Sequence, residues 1–286
     1  KTEHLWSVKA SLGTYGPSQL TDRVGTDHAV FVGAPTSTRY QVNPRSAPGI
    51  TSLAAGAHYD TASPGGIAGV NTGFWFNILA VINSQSVGSA TRSLFGRWSA
   101  LLGYRVHTTG TNSTIVFTAY QTSGVAISTS AYTIAATDIG KLLSITGVHD
   151  GSTLSLYVNG ALVGTAAAIS GFVPYSGPSS IGVDSVGNPA GGVTVLGVVG
   201  GHAVPTALEV AANAQLSVAV GDVQTITGKT DHKWSFPATV TDGTAPATLM
   251  NSVGATNMTK TGAPTVATVL FDRLEHAGVL VPTTSD

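Results

Sequence analysis

Cleaving a glycosidic bond with retention needs two carboxyl groups about 5.5 Å apart, and this chain has few carboxylates to offer. Its only glutamates are Glu3, Glu209 and Glu275, far apart in sequence. The aspartates are scattered, and no two share a short alternating run. The eight histidines show neither H-x-x-x-H nor H-E-x-x-H spacing, and there is no cysteine, so imidazole or thiolate metal sites are not expected. Loop oxygens able to hold calcium are Asp60 (in His58-Tyr59-Asp60-Thr61), Asp184 and Asn188. Each also suits an ordinary turn, so no metal or cofactor is expected. Recognition chemistry is better supplied. Trp75 and Trp98 could serve as aromatic platforms, with Arg97 and Arg105, and also Arg92, as hydrogen-bond donors. His149 and Tyr157 flank an Asp-Gly turn and could touch a ligand. Core packing is the ordinary role of a tryptophan, and it competes with this reading at each Trp.

The elements that must position these residues read as strands. Of 286 residues 35 are glycine, and 9% are charged against about 25% in an average soluble domain. That suits twisted sheets with compact turns and disfavours long surface helices. The net charge is −1 and no segment clusters Lys or Arg, so a nucleic-acid footprint or basic membrane-surface patch is not expected. The longest apolar run, Gly73 to Ile82, is too short to span a bilayer as a helix. Leu142, Ile145 and Val148 lead into Asp150-Gly151. Leu154, Leu156 and Val158 then alternate with Ser155, Tyr157 and Asn159 before Asn159-Gly160. Both dipeptides suit two-residue hairpin turns, and the alternation predicts buried Leu154, Leu156 and Val158. Further strands are expected at 50–53, 73–82, 93–98, 104–108, 115–120, 179–183 and 193–199. Thr206-Ala-Leu-Glu209 is a capping box opening one helix, with Leu208, Ala211, Ala212 and Leu216 on its expected apolar face.

The two ends of the chain repeat one another. Thr2-Glu3-His4-Leu5-Trp6-Ser7 recurs as Thr230-Asp231-His232-Lys233-Trp234-Ser235. Leu20 to Gly25 recurs as Leu249 to Gly254, and Gly33-Ala34-Pro35-Thr36 as Gly262-Ala263-Pro264-Thr265. Matched blocks at near-constant spacing mark a structural repeat. Each copy reads as a Trp strand, a polar loop and a return strand. After the second copy begins, strands are expected at 223–227, 232–236 and 266–271.

The run D-G-S-T-L-S-L-Y-V-N-G-A-L-V-G resembles the central hairpin of the laminin-G-like, concanavalin A-like jelly roll. The Trp strand with its Asp-x-x-Gly turn resembles the opening of such modules, and a short helix often follows their last core strand. The resemblance implies an all-β, antiparallel jelly-roll β-sandwich over residues 1–220, with one short helix. A C-terminal β accessory segment over 221–286 would repeat its opening strands. Related modules often hold calcium through acids after a glycine of the last core strand. Aligned from Gly192, this chain has Val195-Leu196-Gly197-Val198 there, so calcium is not supported. Jelly-roll glucanases carry two Glu on one strand, and jelly-roll lyases a Gln-x-His strand. Here Gln121 is followed by Thr122 and Ser123, so no enzyme is expected. The resemblance implies a non-catalytic recognition or attachment module. Its H-x-W-S, G-A-P-T and hairpin motifs resemble those of bacteriophage tail and virion proteins, which implies a virion-surface location and binding of a host-surface glycan or receptor beside other virion proteins. Secreted bacterial carbohydrate-binding or adhesion modules share the pattern. A capsid-decorating or tail-coating subunit without ligand is the third reading. Three short C-terminal strands need cover, so a homo-oligomer with its interface in 230–286 is expected, docking within the chain being the alternative.

Overall fold

The Phe74–Ile82 strand shows how the sequence builds layers. Phe74, Phe76, Ile78, Ala80 and Ile82 join one buried cluster, and Trp75, Leu79 and Val81 join another. Successive side chains on a strand point to opposite faces, so this strand is covered on both. The computed structural model describes residues 6–7, 19–22, 29–30, 45–50, 58–62, 65–83, 91–99, 101–109, 113–164, 166–182, 192–236, 245–261 and 266–271. The chain divides into two units, Lys1–Asn43 and Pro44–Asp286.

The larger unit is an antiparallel β-sandwich. The front sheet runs, in spatial order, Ala126–Ser128, Thr114–Tyr120, Leu102–Thr109, Arg92–Ser99, Ser180–Ile181, His58–Thr61, Met258–Thr261 and Thr248–Leu249. The back sheet runs Ala161–Leu162, Thr153–Val158, Leu142–His149, Phe74–Ile82, Val193–Gly201, Arg45–Ile50 and Val266–Phe271, with His232–Ser235 also paired to Val193–Gly201. Between the sheets lies an aromatic core in which Phe76 stacks on Tyr104 and meets Phe117 edge-on, with ring centroids 5.4 and 5.3 Å apart. Gly147 faces Phe76 across the back sheet, and a Cβ there would stand 2.3 Å from the Phe76 ring.

The helix Ala207–Val220 begins at the expected capping box. The Thr206 hydroxyl accepts from the Glu209 N–H, and the Glu209 carboxylate accepts from the Thr206 N–H. It covers the outer face of the back sheet, where Val210 and Val218 pack with Trp75, Leu79 and Val199. Its buried face is Val210, Asn213, Ala214, Ser217 and Val218, not the expected one, and Leu208 and Leu216 are exposed. The sheet beneath is polar at Asn77 and Ser144, so it selects Asn213. Asn77 donates to Asn213 Oδ1 and Ser144 Oγ, and Asn213 donates to the Gln224 carbonyl.

The hairpin keeps its predicted register: Leu154, Leu156 and Val158 are buried, with Ser155 and Tyr157 more open. Asn159 and Gly160 both have positive φ, 52° and 82°, as a two-residue turn between Val158 and Ala161 requires. The other turn differs from expectation. Only Gly151 has positive φ, and Asp150 closes the strand pair through its N–H to the Thr153 carbonyl. The central residues are therefore Gly151 and Ser152, one place later than Asp-Gly implies.

The expected boundary at 220 does not describe the structure. Met258–Thr261 pairs with His58–Thr61 in the front sheet, while His232–Ser235 and Val266–Phe271 pair into the back sheet. Trp234, Leu249 and Met258 lie in the inter-sheet core. The described strands between residues 232 and 271 therefore finish the sandwich rather than forming an accessory, which is the docking-within-the-chain alternative. Residues 223–227 form no strand; Val223 and Ile226 instead pack under the helix with Trp75. The described strands of the first repeat copy, Trp6–Ser7, Gln19–Asp22 and Ala29–Val30, make a three-stranded sheet.

Candidate functional site

The front sheet turns one face to the core and the other outward. On the inward side Tyr59, Ile181, Phe95, Val106 and Phe117 are buried. Their chain neighbours point outward and fall into cross-strand register. Ser128 faces Thr118, Thr118 faces Arg105, and Arg105 faces Gly96. The row continues through Ser180, Asp60, Thr259 and Thr248. One residue per strand, eight strands across, is thus either polar or glycine. Paired residues share a face, so these groups line one face of the sheet as a ladder, in which Gly96, Thr118 and Ser180 are buried, Arg105 and Asp60 are half-buried, and Ser128, Thr248 and Thr259 are exposed.

Its members are already partly wired. The Thr118 and Ser128 hydroxyls lie 2.8 Å apart. Asp60 accepts from the Ser180 hydroxyl at 2.5 Å, and its other oxygen lies 2.6 Å from His58 Nε2. The carboxylate sits between serine and imidazole, whereas a nucleophilic triad needs the imidazole between serine and carboxylate. Beside Asp60 an open cavity of ≈ 520 Å³ is lined by Asp60, Thr61, Ala255, Thr256, Asn257 and Thr259, among others. At the other end Trp98 stacks on Tyr120 with centroids 4.4 Å apart, and the Arg105 guanidinium lies 4.4 Å over the Trp98 ring. The ladder from Arg105 to Asp60 crosses three strand spacings, about 14 Å at ~4.8 Å each.

The residues singled out in the sequence scatter over the sandwich. Trp98 and Arg105 come together on the outer front face, but Trp98 is only 4% exposed. It supports Arg105 and Tyr120 rather than offering an open ring. Arg97 is buried and donates to the Gly65 carbonyl at 3.1 Å. Arg92 is buried too. Trp75 is fully buried beneath the helix, with its indole N–H donating to the Lys229 carbonyl at 2.8 Å. Tyr157 is half-buried on the same helix-covered face. His149 is buried between Phe74 and Phe172, at centroid distances of 5.3 and 5.7 Å. Burial pushes its pKa down, against smaller opposing pulls from the Val70 backbone and Asp150. Asp60 belongs to the polar ladder, and Asp184 and Asn188 lie outside the described residues. No cluster of three metal-ligating side chains occurs among the described residues.

Thr118, Ser128, Ser180, Thr248 and Thr259 are the polar members of the row that sequence reasoning missed, as it missed Tyr120, two residues from Thr118 on the same face. Each alternates with a buried neighbour, so its outward direction was readable. Its place in one ladder depends on pairing across strands distant in sequence. Of the glutamates, Glu209 caps the helix and pairs with Lys229 at 3.0 Å. Glu3 and Glu275 lie outside the described residues.

Residues 72–199 match the family described as the concanavalin A-like lectin/glucanases superfamily. Among solved structures, a candidate carbohydrate-binding protein from Bacteroides ovatus ATCC 8483 superposes with a TM-score of 0.52 at 12% identity, over 88% of this chain and 67% of that one. The receptor-binding domain of botulinum neurotoxin type G superposes with a TM-score of 0.39 at 15% identity, over 51% of this chain and 38% of that one. No curated protein matches the chain. The strand order, the packed aromatic core and the family match agree: this chain carries a laminin-G-like jelly roll of the concanavalin A-like kind.

Proposed function

We propose that the protein is a non-catalytic recognition module that binds a glycan along the outer face of the front sheet. The observation that carries this reading is the polar ladder from Ser128 to Thr248. Sugars present rows of hydroxyls, and the open members of this row offer donors and acceptors in two groups, Ser128, Arg105 and Tyr120 towards one end and Asp60, Thr259 and Thr248 around the cavity towards the other. Asp60 is the only carboxylate in the row, which supports binding rather than paired-carboxylate hydrolysis. We further propose that the module works on the exterior of a bacteriophage virion against a host-surface glycan; the H-x-W-S, G-A-P-T and hairpin motifs support that setting. A glycan array with the full-length protein tests the reading. Arg105→Ala and Asp60→Asn should each weaken binding about tenfold or more, the cost of a charge-assisted hydrogen bond. Folded variants that bind as the parent does, or ligands that map to the hairpin residues His149 and Tyr157, would sink it.

A second reading, a purely structural subunit, is favoured by one feature. Leu208, Leu216 and Val220 are exposed along the helix, Leu216 and Val220 being neighbours four residues apart. Self-assembly through that stripe would make the protein a homo-oligomer. Light scattering of Leu208→Ser/Leu216→Ser against the parent checks it; an unchanged mass removes this reading.

A further inference from the structure

The cavity beside Asp60 has two walls, and the fold fixes each of them. One is the outward face of the paired strands His58–Thr61 and Met258–Thr261, where Asp60 faces Thr259. Side chains alternate along a strand, so Lys260, paired with Tyr59, turns the other way and donates to the Ala245 carbonyl at 3.4 Å. The other wall is the turn over 251–257. Asn251 Oδ1 accepts from the N–H groups of Lys233, Val253 and Gly254, and the Thr256 carbonyl accepts from the Trp234 indole. Gly65 lets the turn come close to residue 62: a Cβ there would stand 3.0 Å from Thr256 Cγ2 and 2.3 Å from the Ala62 carbonyl oxygen. Walls tied in this way cost little further ordering when a ligand enters.

Three kinds of group line the cavity. Asp60 accepts from the Ser180 hydroxyl at one oxygen and from His58 Nε2 at the other, which fills two of the roughly four lone-pair positions of a carboxylate. The rest are open to a donor. Asn257 has the opposite role. Its Oδ1 accepts from the Asn251 N–H at 2.9 Å, and that donor fixes which way the amide is turned. What Asn257 has left to offer is its NH2, a donor. Ala62 and Ala255 add methyl groups. Among the described lining residues there is a carboxylate but no lysine or arginine.

Resting on the glycan reading above, we propose that this cavity is a specificity pocket for an acetamido sugar. An acetamido group carries one N–H, one carbonyl and one methyl. These are the complements of Asp60, the Asn257 NH2 and the two alanines. A hydroxyl in the same place has no carbonyl for Asn257 and no methyl for the alanines. A free amine satisfies Asp60 but turns donors towards the Asn257 NH2, and a polar group left unpaired is what lets a site reject an analogue. A uronic acid brings a second carboxylate against half-buried Asp60, and such a like-charge contact excludes it.

The test titrates the full-length protein with tetramers of N-acetylglucosamine, N-acetylgalactosamine, glucosamine, glucose and galacturonate. One of the two acetamido tetramers should bind about tenfold or more tighter than the glucosamine and glucose tetramers, and the galacturonate tetramer should not bind. Asn257→Asp keeps an oxygen for the Asn251 N–H and removes only the donor that faces the cavity. It should therefore leave the melting midpoint within about 3 °C of the parent and weaken acetamido binding about tenfold or more. Saturation-transfer NMR on the parent gives a readout that needs no variant: the acetamide methyl should receive more magnetisation from the protein than the ring protons do. Tightest binding by the glucose, glucosamine or galacturonate tetramer overturns the proposal. So does a folded Asn257→Asp protein with undiminished acetamido affinity, or a bound acetamide methyl that receives no transfer. Sugars that bind without an acetamido preference, and lose affinity in Asp60→Asn, leave the recognition reading standing and remove only this assignment. If no sugar of any class binds, both fall.

Discussion

Asp150 is the residue whose chemistry is best defined. Partial burial tends to raise its pKa, but hydrogen bonds from the Thr153 and Ser152 hydroxyls and N–H groups outweigh it and hold the carboxyl down at about 2. The folded value lies below the ordinary one of about 4. Its contribution is therefore complete above pH ~4 and is lost as the pH falls towards 2. Asp150→Ala should cost about 1 kcal/mol at pH 7, and urea denaturation at pH 2 should find variant and parent closer together. An equal gap at both pH values would show that the carboxylate charge contributes nothing. His149 works in the same direction at higher pH. Burial depresses its pKa, so its stabilising effect is full above pH ~6.5 and fades as the pH falls through that value. His149→Phe should lose less stability than the parent between pH 7 and 5, as followed by thermal melts.

At the scale of elements, the helix shows where pattern reading succeeds and where it stops. The Thr206–Glu209 box and the Gly221 cap set its ends, both by local chemistry. Its orientation is not local. Leu208 and Leu216 are the larger apolar groups, but the helix buries Asn213 because Asn77 and Ser144 wait beneath it. Asn213→Ala should destabilise by about 2 kcal/mol, since it strips partners from buried Asn77 and Gln224. Leu208→Ser should stay within about 0.5 kcal/mol of the parent. Denaturation of both variants checks the helix face, and the reverse order of effects would mean that the helix is rotated.

At the scale of the molecule, closure depends on strands that arrive last in the chain. Trp234 fills the core between the sheets, its indole N–H donating to the Thr256 carbonyl at 2.8 Å, while His232 stacks on its ring. Trp234→Ala should cost about 3–5 kcal/mol and lower the single transition of the whole sandwich. Hydrogen exchange should then quicken in Phe74–Ile82 as well as near residue 234. Loss confined to residues 230–271 would restore the picture of an independent C-terminal accessory.

The sequence by itself determined the class of fold, most strand positions, the hairpin register and the helix start. All of these follow from alternation, turn residues and capping, which act within a few neighbours. It also determined the repeat, though not that the second copy completes the sandwich. Trp75 between Phe74 and Phe76 had to face away from both; that each side of the strand is core needed the helix above and the front sheet below. The polar ladder was equally hidden. Thr118, Arg105, Ser180, Asp60 and Thr259 meet because strands from distant parts of the chain pair in one register. Tertiary structure alone decided that meeting, because alternation fixes which face a residue takes and only long-range pairing fixes its neighbour across the sheet.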